Sequence, residues 1–178
     1  MKTLLVGCGS IAQVHAQALH QLGREIAGFA DIRPERAQKM ADTYGGRAYA
    51  SLDDMLANEQ ADVLHICTPH YLHVPMAVAA LEKGLHVLME KPPAIVREEE
   101  STLFRAREQA KKQVGVCFQN RYNPATVQAL SLLQTGKLGA IKGARAFVTW
   151  KRDEPYYTES GWRGAWKTEG GGVLINQS

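Results

Sequence analysis

Cysteine is scarce in this 178-residue sequence: Cys8, Cys67 and Cys117 are an odd number, widely spaced, with no CxxC pair. That excludes a disulfide framework and reads as free thiols in a reducing, cytoplasmic setting. No run approaches the ~20 apolar residues of a membrane helix, so no membrane partner is expected. Charge of one sign is also lacking, since 21 Lys and Arg against 18 Asp and Glu leave +3. Basic residues are dense only at Lys111-Lys112 and Lys151-Arg152, which excludes the basic stripe of a nucleic-acid binder. Internal repeats and low-complexity segments are missing. Leu5-Val6-Gly7-Cys8 has the look of a lipoprotein cleavage site, but the seven residues before the cysteine cannot hold a charged region plus an apolar stretch of ~7–15 residues.

Apolar residues at 45% and charged residues at 22% are ordinary for a globular chain with one real core. Short, almost uniformly apolar runs at 3–6, 25–30, 63–67, 86–89 and 114–118 alternate with helical periodicity over 10–22, 34–44, 71–83 and 97–113. Such alternation predicts βαβ units: an α/β fold whose N-terminal domain, residues 1–120, is a doubly wound parallel sheet of the Rossmann type. The acidic first turn and basic last turn of 97–113 complement a helix dipole and need no functional explanation. After Phe118 the pattern changes. A helix over 123–133, a long strand over 141–150, a polar aromatic loop over 151–167 and a glycine-rich entry into a helix from Gly170 are expected. These are too few to cover a sheet face, so residues 121–178 read as the incomplete beginning of a C-terminal α/β substrate and oligomerisation domain.

Gly7-Cys8-Gly9-Ser10-Ile11-Ala12 fits G-x-G-x-x-[G/A], directly after the first strand and at the start of a helix. Asp31 ends the second strand 22 residues after Gly9, near the ~20 of a dinucleotide fingerprint. Gly7 permits the tight turn, Gly9 lets the backbone approach a pyrophosphate, and the amides from Ser10 and Ile11 onward offer N–H groups and positive dipole. Ala12 lets the helix sit close to the strand. Asp31 can accept from both adenosine ribose hydroxyls and repels a 2′-phosphate, so NAD is favoured. Arg33, beside it, leaves NADP as the alternative.

Three histidines and a cysteine crowd His65-Ile66-Cys67-Thr68-Pro69-His70-Tyr71-Leu72-His73. Their spacing matches no zinc pattern, and no metal is expected. A strand ending in Thr68-Pro69 is instead a βα turn at the carboxyl edge of the sheet, where Thr68 can offer its hydroxyl and backbone to a cofactor.

Glu90-Lys91-Pro92-Pro93 follows another apolar strand, and a lysine there points over the same edge. With the glycine loop, with Thr68-Pro69 and His73, and with Trp162-Arg163 leading into Gly170-Gly171-Gly172-Val173-Leu174, these motifs resemble the Gfo/Idh/MocA oxidoreductases, relatives of glucose–fructose oxidoreductase and inositol dehydrogenase. The resemblance implies NAD(P)-dependent hydride transfer between the nicotinamide and a secondary alcohol or ketone of a sugar, polyol or similar small molecule, with a homo-oligomer expected of the full-length form. It makes Lys91 the residue beside the nicotinamide that assists proton transfer, often with a cis peptide before Pro92. It adds Pro69, His73, Glu90, Trp162 and Arg163 to the cofactor-binding residues. Asn120 and Arg121 then border the substrate. Asn176 stands where the family usually has aspartate, as a catalytic or substrate-binding position that can hydrogen-bond but cannot act as a base. The family's later histidine lies beyond residue 178, so this chain is expected to bind NAD but to turn over little. The alternatives are a non-catalytic NAD(H)-binding or sensing module, an inactive fragment, or an aldehyde or imine reductase.

Overall fold

The structure, a computed structural model, describes residues 1–176; the last two residues of the expected second domain fall outside it. Six parallel strands, β1 (Lys2–Val6), β2 (Glu25–Ala30), β3 (Arg47–Tyr49), β4 (Val63–Ile66), β5 (His86–Glu90) and β6 (Val114–Cys117), lie in the order β3-β2-β1-β4-β5-β6. The connecting helices are α1 (Ser10–Gln21), α2 (Pro34–Tyr44), α3 (Leu52–Asn58), α4 (His73–Glu82) and α5 (Arg97–Ala110). The parallel, doubly wound sheet is therefore as expected.

Strand periodicity explains why both faces are covered. Leu5 of β1 points into a cluster with Phe29, Ala12, Ala16 and Met40 beneath α1 and α2. Its neighbours Leu4 and Val6 join Leu64, Ile66, Val87 and Met89 against Met55, Ala77, Leu81 and Leu103 of α3, α4 and α5. Strand order reverses between β1 and β4, so the loops leaving their carboxyl ends diverge and open a crevice between them. No helix among the described residues is long and apolar enough to cross a membrane.

Two elements escaped the sequence reading. β3 is a three-residue edge strand and α3 spans seven residues, both too short for a period to register. A local signal for α3 did exist: the Ser51 hydroxyl accepts from the Asp54 amide at 3.1 Å, a hydrogen-bonded N-cap. The helix expected at 71 opens instead as a 3₁₀ turn, His70–Leu72, before α4.

Beyond β6 come a 3₁₀ turn, Gln119–Tyr122, and α6 (Pro124–Gln134), close to expectation. Residues 141–150 correct it, because they form no strand. Their Val, Phe, Thr and Trp suit a pleated surface, but a strand exists only where a neighbour takes its N–H and C=O groups. The described sheet ends at β6, and Phe147 is 85% exposed. Three short helices follow, α7 (Glu154–Thr158), α8 (Trp166–Glu169) and α9 (Val173–Asn176). Through His70 and Lys91 they return to the carboxyl edge of the sheet.

Candidate active site

The glycine turn is built as its residues require. Gly7 has φ +85°, and a Cβ on it would lie 2.7 Å from the Cys67 carbonyl carbon. Only glycine lets β1 turn this close to the end of β4. Gly9 is the N-cap of α1 and gives it no side-chain hydrogen bond, while a Cβ there would meet nothing within 4 Å. The first turn of α1 thus faces open space with its amide donors. Asp31 does more than expected: one carboxylate oxygen accepts from the Cys8 amide at 2.7 Å and the other from the Arg33 amide at 2.8 Å. It ties the glycine turn to the end of β2 while keeping lone pairs for a ribose. The Arg33 side chain is exposed. Burial, with help from Asp31, pushes the Cys8 thiol up to about 12, and burial raises Cys67 also. Neither thiol is a nucleophile near neutral pH.

Each histidine of the cluster has its own task. His70 meets the Glu169 main-chain oxygen through Nδ1 at 2.9 Å, and its ring lies edge-on to Trp162 at 4.6 Å. His73 is fully buried, with Nδ1 2.7 Å from the Pro92 carbonyl and Nε2 2.9 Å from the Thr68 carbonyl. It therefore joins the loops after β4 and β5 from behind. The resemblance put it among cofactor-binding residues; here both ring nitrogens face protein carbonyls. The Thr68 hydroxyl, half-buried, lies 3.6 Å from the Met76 sulfur. Pro69 precedes the 3₁₀ turn as its N-cap.

His65 is buried with Nδ1 3.0 Å from Nδ1 of His15, whose Nε2 is 3.0 Å from Glu90 Oε1. The carboxylate can only accept, so His15 Nε2–H donates, and a single proton lies between the two Nδ1 atoms when His65 is neutral. Burial, reinforced by His15, lowers His65 from 6.5 to about 4. The unfolded chain therefore takes up a proton on this residue between those values while the folded chain does not, so stability falls as the pH drops from 6.5 towards 4. About 2–3 kcal/mol should be lost between pH 7.5 and 4.5 on this account. Urea unfolding at both pH values checks it, and His65→Asn should shrink the loss by about that amount.

Glu90 closes β5. Burial raises its pKa, but the His15 hydrogen bond and charge, the Lys91 amide and the Cys117 thiol together hold it below the ordinary carboxylate value. Like His73, it faces protein groups rather than open space. The Lys91–Pro92 peptide is cis. The Lys91 Nζ, half-buried, donates to Asn176 Oδ1 at 2.9 Å and to the Asn176 main-chain oxygen. Burial lowers its pKa and Arg163 assists, against Glu90, Tyr156 and Glu169. Lys91 and Asn176, 85 positions apart, are thus brought together.

Around them stand two residues, Tyr156 and Glu169, that the sequence reading missed, and several that it named. Tyr156 Oη is 3.4 Å from Asn176 Nδ2, and its pKa is lowered: burial raises it, but Arg163 and hydrogen bonds from Asn176, Arg163 and Arg152 prevail. Glu169 is buried; its carboxylate accepts from Asn176 Nδ2 and, at 2.6 Å, from the Gly164 amide. The Arg163 guanidinium lies 4.4 Å from both the Tyr156 and Trp162 ring centres. Its Nε is buried with no hydrogen-bond partner among the described residues. Asn120 and Arg121 sit on the exposed 3₁₀ turn after β6, with local contacts: Asn123 Nδ2 to Asn120 Oδ1 at 3.4 Å, and Arg121 over Phe118 at 5.8 Å.

These residues fit a dinucleotide that runs from Asp31 across α1 to Lys91. The space over Gly9 suits a pyrophosphate, and the orphaned Arg163 Nε–H lacks the acceptor that a bound group can bring. Comparison with known proteins supports the cofactor class. A family model described as "Oxidoreductase family, NAD-binding Rossmann fold" matches residues 1–118. The chain is 32% identical over 138 residues to the glucose-6-phosphate 3-dehydrogenase of Bacillus subtilis, covering 77% of this chain and 39% of the relative. It is 29% identical over 182 residues to the D-glucoside 3-dehydrogenase of Escherichia coli, covering 99% and 50%. Among solved structures, the WlbA dehydrogenase from Chromobacterium violaceum, in complex with NADH and UDP-GlcNAcA, superposes with a TM-score of 0.91 at 35% identity, over 99% of this chain and 52% of that one. The chain therefore spans about half the length of the proteins it matches.

Proposed function

This chain belongs to the Gfo/Idh/MocA oxidoreductases and carries their NAD-binding Rossmann fold, and from that premise we propose that it serves NAD-dependent oxidation of a secondary alcohol on a sugar, at C3 of a pyranose that bears a phosphate, glycosidic or nucleotide substituent. The substrate class follows from its relatives, two of which are named 3-dehydrogenases of glucose derivatives while a third was solved with a UDP-linked sugar. The observation that carries the reaction class is Lys91: a half-buried amine of lowered pKa at the carboxyl end of β5, steered by Asn176.

Bound nicotinamide supplies the hydride acceptor. The chain's own residues handle the proton. Lys91 Nζ faces the reacting hydroxyl, accepts its proton as the carbinol hydrogen leaves as hydride, and as an ammonium stabilises alkoxide character. Burial favours this role, because it brings the neutral amine within reach at moderately alkaline pH. Glu90 and His73, behind the loop, hold Lys91 in position, while Arg163 and Trp162 border the cofactor and Asn120 and Arg121 the substrate.

Fluorescence titration with NADH and NADPH tests the cofactor half. NADH should bind more tightly, and Asp31→Asn, which removes the carboxylate charge near a 2′-phosphate, should shift the preference towards NADPH by about tenfold. Binding of neither nucleotide at millimolar concentration overturns the reading. The substrate half is tested by product analysis after incubation with NAD and a panel of glucosides, sugar phosphates and nucleotide sugars. A 3-keto sugar is expected, and oxidation confined to acyclic polyols or aldehydes would contradict it.

A further inference from the structure

Asn176 is neutral, yet it stands between a cation and an anion. Its Oδ1 accepts from Lys91 Nζ, and its Nδ2 donates to Glu169 Oε1 and approaches Tyr156 Oη. Only one amide orientation satisfies this arrangement. Turned over, the NH₂ would face the ammonium and the oxygen would face the carboxylate. Glu169 is itself fixed at three points. Its second oxygen holds the Gly164 amide at 2.6 Å, its main-chain oxygen meets His70 at 2.9 Å, and it is only 5% exposed.

We infer that Glu169 is a positioning residue for the proton-handling amine: it sets the Asn176 amide, and through that amide it supplies the negative charge that keeps Lys91 aimed across the crevice. This rests on the reading of Lys91 given above. The anion of the site is then displaced by one side chain from where an aspartate at 176 would hold it. A buried carboxylate that polarises an amide from one side strengthens the amide's hydrogen bond on the other. It also opposes the drop in Lys91's proton affinity caused by burial. No sequence period marks Glu169, and its role depends on a lysine far back in the chain.

Charge transposition tests the inference. In Glu169→Gln, the new amide can accept from the Gly164 amide or from Asn176 but not from both, so Asn176 loses its fixed orientation and Lys91 one of the negative charges that oppose the effect of burial. In Asn176→Asp, two carboxylates meet and repel. The double variant N176D/E169Q exchanges the two groups. The amide now at position 169 accepts from Gly164 and donates to the carboxylate now at position 176, which accepts from Lys91, and every group is again paired. The readout is the titration midpoint of Lys91 in cofactor-free protein, followed by NMR of ¹³C-methylated lysines and assigned with a Lys91→Ala sample. E169Q should lower the midpoint by about one unit, a tenfold change in proton affinity, and the double variant, whose carboxylate lies one side chain nearer to Nζ, should return it to the parental value or above. An unchanged midpoint in E169Q, or a double variant no better than the single, overturns the inference. Should E169Q fail to fold, the double variant decides alone: folded with a midpoint at or above the parental one it supports the inference, and unfolded or with a lowered midpoint it refutes it. These midpoints need no NADH, so failure of the parent chain to bind NADH strikes the dehydrogenase reading instead.

Discussion

Lys91→Ala is expected to leave the NADH dissociation constant within about threefold of the parent and to lower alcohol-dependent NAD reduction by about 10²–10⁴-fold. The substitution removes the Nζ that Asn176 holds but keeps the main-chain amide that bonds Glu90, so the loop behind it stays paired. Absorbance at 340 nm under single-turnover conditions measures the loss. The pH profile carries further information. The oxidation needs a neutral amine, and Lys91 sits below the ordinary 10.5, so the rate should rise with pH through a midpoint under that value and the rise should vanish in the variant. Lys91→Arg should not rescue it, since a guanidinium does not give up a proton in this range. A nucleotide sensor would show no turnover to lose, and parent and variant would then be alike.

Gly7→Ala should be strongly destabilising, costing about 3–5 kcal/mol in urea unfolding. Two effects add. A φ of +85° is strained for any L side chain, and the new Cβ would stand 2.7 and 2.8 Å from the Cys67 carbonyl carbon and oxygen. Both are backbone atoms, so relief requires moving the end of β4, where the cofactor edge begins. Gly9→Ala gives the contrast. Its φ of −79° is ordinary and its Cβ meets nothing within 4 Å, so stability should change by less than about 1 kcal/mol. NADH affinity should still fall at least tenfold, because the methyl occupies the approach of the pyrophosphate. Similar stability losses for both variants would contradict this division of labour.

What could be read from the sequence was the chemistry that is local along the chain. Gly7 to Ala12, Asp31, Thr68-Pro69 and Glu90-Lys91-Pro92 each follow a strand, and a parallel sheet brings all strand ends to one edge. The pairings across that edge could not be read. His15 looks like an ordinary residue of an amphipathic helix until β4 and β5 present His65 and Glu90 to it. The crowded His65–His73 stretch divides into three separate hydrogen-bonding tasks, which no spacing rule announces. Glu169 and Tyr156 lie in a segment without periodicity, where only tertiary packing assigns a role. The failed strand over 141–150 has the opposite cause: its composition is right for a sheet, but composition does not provide a neighbour.

The two main-chain amides held by Asp31 have a practical corollary for engineering. A redesign towards the phosphorylated coenzyme would ordinarily begin by replacing that acid. Here the acid also braces Cys8 and Arg33, so its removal loosens the very bend that must receive the pyrophosphate. The neighbouring Ile32 is 88% exposed and contributes little to packing, which makes a cation introduced there, with residue 31 left untouched, the gentler route to a changed coenzyme.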